Sequence, residues 1–293
     1  MTKTIRNIVT CRVLLALLCI VLLTGCASVE KQNKPEPVPE LRPGILQGYL
    51  PTEALPNSLA LIPSPPAAGS ISFVFDEEVN RHSLALRGTA RWRLAIPDAN
   101  LGFPQAADTF SCALDAPITE QDTPQLYMLM RRAGTDADRS TSAAKRQYKR
   151  PRPFMVNQES TCTPDDEGFL MKNGSYPSAH AAIGWTWALI LSEIAPERGD
   201  AILARGRAFG QSRVICNVHW QSDVIEGRLV GAAAVARLHS DPAFRAAIEA
   251  AKAELAAVRA KGLKPTRDCE AEAGALATYP PLAPWPTGPG VRY

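Results

Sequence analysis

The sequence predicts an all-α protein, a bundle of helices. Three observations carry this. Apolar residues recur at helical spacing over most of residues 70–261, stretches that alternate apolar and polar residues are few, and no internal repeat is present. With 46% hydrophobic and 21% charged residues, the chain of 293 can bury a sizeable core. The net charge of +3 is too small to mark a nucleic-acid partner, so any positive field that matters has to be local.

The elements follow in order. Lys3, Arg6 and Arg12 precede an apolar run from Val13 to Leu23, which makes residues 1–25 a secretory signal rather than part of the fold. The run is short for a membrane span. Leu23-Thr24-Gly25-Cys26 resembles the bacterial lipobox, which implies a lipid on Cys26 and a periplasmic location. Ala27 follows the cysteine instead of Asp, which by resemblance to sorted lipoproteins implies the outer membrane. Residues 26–48 are polar and Pro-rich and read as an extended tether. In an oxidising compartment the four cysteines beyond Cys26 suggest two disulfides. Three pairings of Cys112, Cys162, Cys216 and Cys269 are open, and the reading leans to Cys162–Cys216 with Cys112–Cys269.

The main domain is expected over 49–262. Phe73, Val79, Leu84 and Leu86 make the stretch 70–95 helical, and 98–113 is broken with a short helix. Thr123 to Lys149 reads as one helix with Leu126, Met130 and Ala133 on a stripe, ended by Pro151-Arg152-Pro153. Residues 155–176 read as a long loop. Ser178 caps an apolar helix from Ala179 to Ile194, which carries Glu193 and is short for a span, so it belongs in the core. Pro196 stops it. Helices are expected over 197–210, 220–238 and 241–261, the second rich in small residues (Gly231, Ala232, Ala233, Ala234) that permit close packing. Residues 263–293 hold Pro265, Pro280, Pro281, Pro284, Pro286 and Pro289 and are expected to be an irregular tail.

Three segments carry chemistry. In the first, Lys145 to Arg152 places five basic residues in eight positions, a pattern that is by itself commonly a solvated face. In the second, Pro177-Ser178-Ala179-His180 opens the apolar helix, where free backbone N–H groups favour an anion. In the third, His219 and Asp223 are four apart and would share one face of a helix, so that the carboxylate fixes one imidazole nitrogen and frees the other. Ser212 and Arg213 lie upstream as a hydroxyl and a positive fork suited to an oxyanion. Arg213 would face away from His219 on a continuous helix, so the helix must break near Cys216-Asn217, where Asn tolerates left-handed backbone. Together these groups can hold a phosphoryl group, with cations neutralising its oxygens and two histidines in line. No Gly-rich nucleotide loop and no convincing metal cage is evident, so no metal or cofactor is expected and the cations take that role.

Lys145-x6-Arg152-Pro153, Pro177-Ser178-x-His180 and Ser212-Arg213-x5-His219-x3-Asp223, in that order, resemble the signature of the type 2 phosphatidic acid phosphatase superfamily, which includes the vanadium haloperoxidases. The surrounding residues (Gly174-Ser-Tyr-Pro-Ser178, Gly210-Gln-Ser-Arg-Val-Ile-Cys216, His219-Trp-Gln-Ser-Asp223) are similar to bacterial class A non-specific acid phosphatases, and the likeness extends over roughly residues 49–255, including Ser58-Leu-Ala-Leu-Ile-Pro63 and Asp98-Ala-Asn-Leu101. The resemblance implies a helical bundle of the acid phosphatase/vanadium haloperoxidase type and a catalytic domain at 49–262. It implies that His219 attacks phosphorus, that Asp223 orients it, and that His180 protonates the leaving alkoxide and then activates water. Lys145, Arg152, Ser178, Arg213 and the backbone N–H of Ala179 would hold the phosphate. Small phosphate monoesters are the implied substrates, vanadate an inhibitor, and a homo-oligomer the implied assembly.

Two positions depart from the family pattern. Ala179 stands where the family usually has Gly, which is tolerable at a helical position and damaging if the backbone there needs positive φ. Pro151 precedes Arg152 and pushes Arg150 out of the helix. The same fold would also suit a vanadate-dependent haloperoxidase, a phosphotransferase, or a non-catalytic phosphate-binding lipoprotein.

Overall fold

The computed structural model describes residues 35–277. Expectations for the signal, for Cys26 and for the end of the tail lie outside these residues. In chain order the strands are β1 (Glu40–Arg42) and β2 (Ile45–Leu46). The helices are α1 (Ser58–Leu61), α2 (Ile71–Leu84), α3 (Ala90–Ala95), α4 (Gln105–Asp108), α5 (Ser111–Leu114), α6 (Pro124–Ser140) and α7 (Ser142–Tyr148). They continue with α8 (Pro153–Asn157), α9 (Glu167–Leu170), α10 (Ala179–Ile194), α11 (Gly199–Ile215), α12 (Gln221–Leu238), α13 (Pro242–Ala260) and α14 (Cys269–Ala277). The all-α class therefore holds, with one two-stranded hairpin as an addition.

α10 is the axis of the bundle. Ser178 caps it by accepting the N–H of Ala181, and Ala195 ends it ahead of Pro196. Its surface is apolar nearly all round, as a helix packed by neighbours on every side requires. α6, α11 and α12 pack around it, and α13 closes over α6. Trp187 is buried among Phe103, Phe110 and Phe209, and its indole N–H reaches the Met130 carbonyl at 2.8 Å, so a large polar-tipped ring is satisfied in the core. The small residues foreseen on α12 do bring it close. A Cβ on Gly231 would lie 2.4 Å from the Ala182 carbonyl oxygen, and one on Gly227 would lie 2.4 Å from that of Ser178. Among the described residues no helix is long and apolar enough to cross a membrane.

Four expectations change. The helix foreseen over 123–149 is two, α6 and α7, broken at Thr141, and Lys145 sits on the second. The loop at 155–176 contains α9 and the end of α8. The tail is not irregular throughout, because α14 forms and is tied to α5 by the Cys112–Cys269 disulfide. The tether also ends in structure. The β1–β2 hairpin turns at Gly44 (φ +79°), and the chain then lies along α6, with Thr135 donating to the Leu46 carbonyl at 2.9 Å. Asp136 accepts the N–H groups of Tyr49 (2.7 Å) and Leu50 (3.3 Å), which needs Gly48 in between, since any Cβ there would overlap the carboxylate. The cysteines pair as the reading leaned, Cys112–Cys269 and Cys162–Cys216, with Cα atoms 5.4 and 4.8 Å apart.

Candidate active site

The three chemical segments meet at one end of the bundle. The α7–α8 turn brings Lys145 and Arg152, the start of α10 brings Ser178, Ala179 and His180, and the α11–α12 turn brings Arg213, His219 and Asp223. Lys145, Arg152, Ala179, His180 and His219 line a cavity of about 490 Å³, whose lining also includes Leu46, Phe103, Arg131 and Trp187. Ser178, Arg213 and Asp223 are fully buried behind that lining.

The α11–α12 turn shows how the sequence builds the site. α11 stops at Ile215 and Asn217 takes left-handed backbone (φ +63°), where the sequence placed the break. Its side chain is locked on both sides. Oδ1 accepts from Asn80 at 2.8 Å and from Asn157 at 2.9 Å, and Nδ2 donates to the Glu159 carbonyl at 2.7 Å. The chain then folds back so that the N–H groups of Val218 (3.1 Å) and His219 (3.2 Å) both reach the Arg213 carbonyl. His219 thus precedes α12 instead of lying on its face. Asp223, in the first turn of α12, reaches back over the helix start and accepts the Trp220 N–H at 2.9 Å and His219 Nδ1 at 3.2 Å.

That geometry fixes the tautomer. An ionised carboxylate only accepts, so His219 Nδ1 carries the proton and Nε2 keeps its lone pair. Arg152 Nη1 donates towards Nε2 at 3.1 Å and to the Val218 carbonyl at 2.9 Å. Burial, then Arg152, Lys145 and Arg213, hold the His219 pKa well below its ordinary value, so the ring is neutral. Burial pushes the Asp223 carboxyl up, and Arg150 pulls the other way through a 2.6 Å bond to Oδ1. Arg150 is itself gripped by Asp76 at 2.8 Å, and Asp76 also accepts Ser222 N (2.8 Å) and Ser222 Oγ (2.6 Å). A buried charge row, Asp76–Arg150–Asp223, therefore stands behind His219.

His180 is held differently. Its Nε2 donates to the Ala99 carbonyl at 2.9 Å, which leaves Nδ1 for the substrate side. The loop that offers Ala99 is pinned by its neighbour Asp98, which pairs with Arg205 at 2.5 and 3.2 Å and accepts Ser212 Oγ at 2.6 Å. Arg205 in turn meets Glu272 of α14 at 3.4 Å. Burial first, then Arg213, depress the His180 pKa well below its ordinary value, against the pull of the Ala99 carbonyl.

The cations differ in their freedom. Lys145 donates to the Gly174 carbonyl at 2.9 Å, and burial lowers its pKa to about 7. Arg152 is lowered to about 10 by burial, as is Arg213, where Arg152 adds to the effect. Arg213 is buried with Nε and Nη1 lacking any partner among the described residues. Such donors are costly in an interior, and an oxyanion would satisfy them. One sequence reading needs correction here. Ser212, offered as an oxyanion donor, is bound to Asp98 and faces away from the cavity. Ser178 Oγ accepts the Ala181 N–H at 3.3 Å, the cap expected there, and its O–H remains a donor. Ala179 is the first residue of α10 with ordinary helical backbone, the tolerable case.

The sequence reading missed Asp76, Arg150, Asp98, Ala99, Arg205 and Ser222 as site residues. A signal for two of them existed. Arg205 falls on the Ile202–Phe209–Ser212 stripe of α11, and Asp76 falls three residues before Val79 on α2. A charge on a core stripe has to be paired.

Comparison with known proteins identifies the family. The PAP2 superfamily model matches residues 126–245. The chain is 47% identical to the non-specific acid phosphatase of Providencia stuartii over 212 residues, 72% of this chain and 86% of that protein. It is 42% identical to the non-specific acid phosphatase of Salmonella typhimurium over 68% of this chain and 80% of that protein. With the acid phosphatase of Zymomonas mobilis the identity is 36%, over 71% and 79% of the two chains. The family match and these identities over most of the domain place the chain in the PAP2 superfamily, among the bacterial class A non-specific acid phosphatases.

Proposed function

We propose that the protein hydrolyses phosphate monoesters without a metal, through a phosphohistidine at His219. The observation that carries this is the neutral His219, with Nδ1–H tied to Asp223 and an unprotonated Nε2 beside Arg152, lining one cavity with Lys145, Arg152 and His180. In the first step Nε2 forms the P–N bond, the P–O bond to the leaving group breaks, and the alkoxide takes a proton from His180. Arg152, Arg213 and Lys145 neutralise the equatorial oxygens as charge spreads over them. In the second step water loses a proton to His180 and attacks phosphorus, the P–N bond breaks, and phosphate leaves with His219 restored. The sum is ester plus water giving alcohol plus phosphate.

The depressed pKa of His180 has a consequence for the proton. In the empty site His180 is neutral, because burial disfavours its charged form and the cations Arg213 and Arg152 add to that. A phosphate monoanion brings both the negative charge that offsets those cations and the proton that His180 then holds. Phosphate esters lose that proton near pH ~6, so acid conditions supply the competent substrate. Vanadate, which takes a trigonal-bipyramidal form, should inhibit at the same site.

Phosphate release from p-nitrophenyl phosphate between about pH 4 and 8, with excess chelator, tests the reading against His219→Ala. Chelator-resistant turnover that is lost in the variant is the expected result, with an acid-labile phosphoryl group trapped on the wild type. Activity abolished by chelator, or retained in His219→Ala, would overturn it. The periplasmic, lipid-anchored location is part of the same proposal and is checked by palmitate labelling of wild type against Cys26→Ala.

A further inference from the structure

The basic run Lys145–Arg152 is not used up by the chemistry above. Lys145 and Arg152 face the reaction cavity, and Arg150 is committed to Asp76 and Asp223. Arg146 and Lys149 remain. They line a separate cleft of about 290 Å³ together with Lys172, Met155 and Met171, and no carboxylate is in its lining. The cleft shares Lys145, Arg146 and Asn173 with the reaction cavity, so the two are adjacent.

A solvated face would explain Arg146 and Lys149, which are neighbours along one short helix end. It does not explain Lys172, which arrives from the α9–α10 connection. Nor does it explain the backbone that brings the two segments together. Lys149 holds left-handed backbone (φ +44°), unfavourable for a side chain of its kind, with its N–H on the Lys145 carbonyl at 3.1 Å. Gly174 packs directly beneath, where a Cβ would meet the Lys145 carbonyl oxygen at 2.8 Å and the Lys149 Cα at 3.0 Å. Among the described residues Arg146, Lys149 and Lys172 have no ion pair or side-chain hydrogen bond. Three like charges gathered around one concavity without a counter-charge repel each other, and an anion relieves that repulsion.

We propose that this cleft is a subsite for a second phosphate, carried on the leaving group of a bisphosphorylated ester whose first phosphate is held at His219. The chemistry that recognises it is a dianion a short chain away from the scissile P–O bond, with Met155 and Met171 as apolar flanks. This rests on the reading of the main cavity as a phosphomonoesterase site. It adds a substrate class in which the product of hydrolysis is a monophosphate still anchored by its other end.

The test uses a ladder of α,ω-alkanediol bisphosphates and the matching alkanediol monophosphates. For wild type, kcat/KM should favour the bisphosphate by about tenfold beyond the statistical factor for two equal phosphates, the size expected of a few exposed charge contacts acting together. The preference should reside in KM, peak at one chain length, and fade at high salt. In the double variant Lys149→Gln/Lys172→Gln the preference should vanish while monophosphate turnover stays within about twofold of wild type. Calorimetric binding of the same pairs to His219→Ala reads the subsite even if no ester is turned over, which separates this inference from the proposed reaction. Equal affinity for mono- and bisphosphates, a preference that survives the double variant, or equal losses on both substrates would overturn the proposal.

Discussion

The two histidines of the site are held in opposite ways. His219 is fixed by charge: Asp223 orients it, Arg150 offsets the burial of Asp223, and Asp76 grips Arg150, each contact between side chains within 3.2 Å. His180 is fixed by a backbone carbonyl, and the charges that secure it act one step removed, on the loop that presents Ala99. A carboxylate on His219 sets its tautomer and, in the proposed reaction, would stabilise positive charge as the P–N bond forms. A carboxylate on His180 would hold its proton too tightly for an acid that must release it. A neutral carbonyl positions the ring and leaves its pKa responsive to the substrate. On the proposed mechanism the difference means that the nucleophile needs a permanent electrostatic partner, whereas the proton carrier needs placement without one.

The strongest way to break this comparison is on the His219 side. Asp223→Asn keeps the shape and loses the charge, so the wrong tautomer becomes accessible. We expect kcat to fall by about 10³–10⁴, the scale seen when an orienting carboxylate of this kind is neutralised. The loss should be equal for aryl and alkyl phosphates, since it strikes the attacking atom. Arg150→Met should act in the same direction with an added signature. Without Arg150 the burial that raises Asp223 is unopposed by its main counter-charge, so the carboxyl protonates at higher pH. The acid limb of the kcat profile should move to higher pH, and an unchanged limb would remove Arg150 from the electrostatic row.

The His180 side should respond more mildly and selectively. Asp98→Asn leaves a hydrogen-bonding group facing Ser212 and Arg205 but weakens the pin on the Ala99 loop. We expect a drop of about 10–100-fold on alkyl phosphates, whose leaving groups need the proton, the range assigned to general acid catalysis. p-Nitrophenyl phosphate, whose leaving group departs as the anion, should lose far less. The ratio of the two rates is the measurement, because a general loosening of the fold would lower both together. Equal losses would show that the loop does not act through His180.

What could be read from the sequence follows the same division. The His219 arm was legible because its parts are close in sequence. The spacing of Arg213, His219 and Asp223 forced a break, and Asn217 supplied it. Even there the pattern misled in one respect, since a four-residue spacing suggested a shared helix face and the pair in fact spans a helix start. The anchors were not legible. Asp76 lies 74 residues from Arg150 and Asp98 lies 107 from Arg205, and no local rule links them. α14 was hidden by the prolines around it and is tied to α5 across 157 residues by a disulfide whose pairing the sequence left open. The cap role of Ser178 was visible from its position at the start of the apolar helix.

Lys145 serves both arms and sharpens the comparison through pH. Its pKa is lowered from 10.5 to about 7 by burial, so in the free protein it loses its proton as pH rises through about 7. Phosphate affinity should weaken above that point, by up to about tenfold per pH unit. Stability should move the other way. Between about pH 7 and 10 the unfolded chain binds the proton that the folded chain has lost, so this group's contribution to stability rises with pH. Lys145→Met should therefore raise the melting temperature at pH 5–6 while abolishing phosphate binding, and its advantage should shrink above pH 7. A variant less stable than wild type at pH 5 would contradict the burial penalty.

The smallest effect is expected at Ala179, which lies between the two arms. It starts α10 with helical backbone and has no positive φ. Ala179→Gly restores the residue usual in the family and removes one methyl group from the cavity wall. A glycine at a helix end costs less than the ~1 kcal/mol of a helix interior, so the melting temperature should fall by only a few degrees. Turnover of small esters should stay within about threefold of wild type, well under one unit of transition-state arithmetic at ~1.4 kcal/mol per tenfold. A larger gain would mean that the methyl group presses on the bound phosphoryl oxygens. The gain would then be greatest for bulky leaving groups if the contact is with the leaving group, and uniform across leaving groups if it is with the equatorial oxygens.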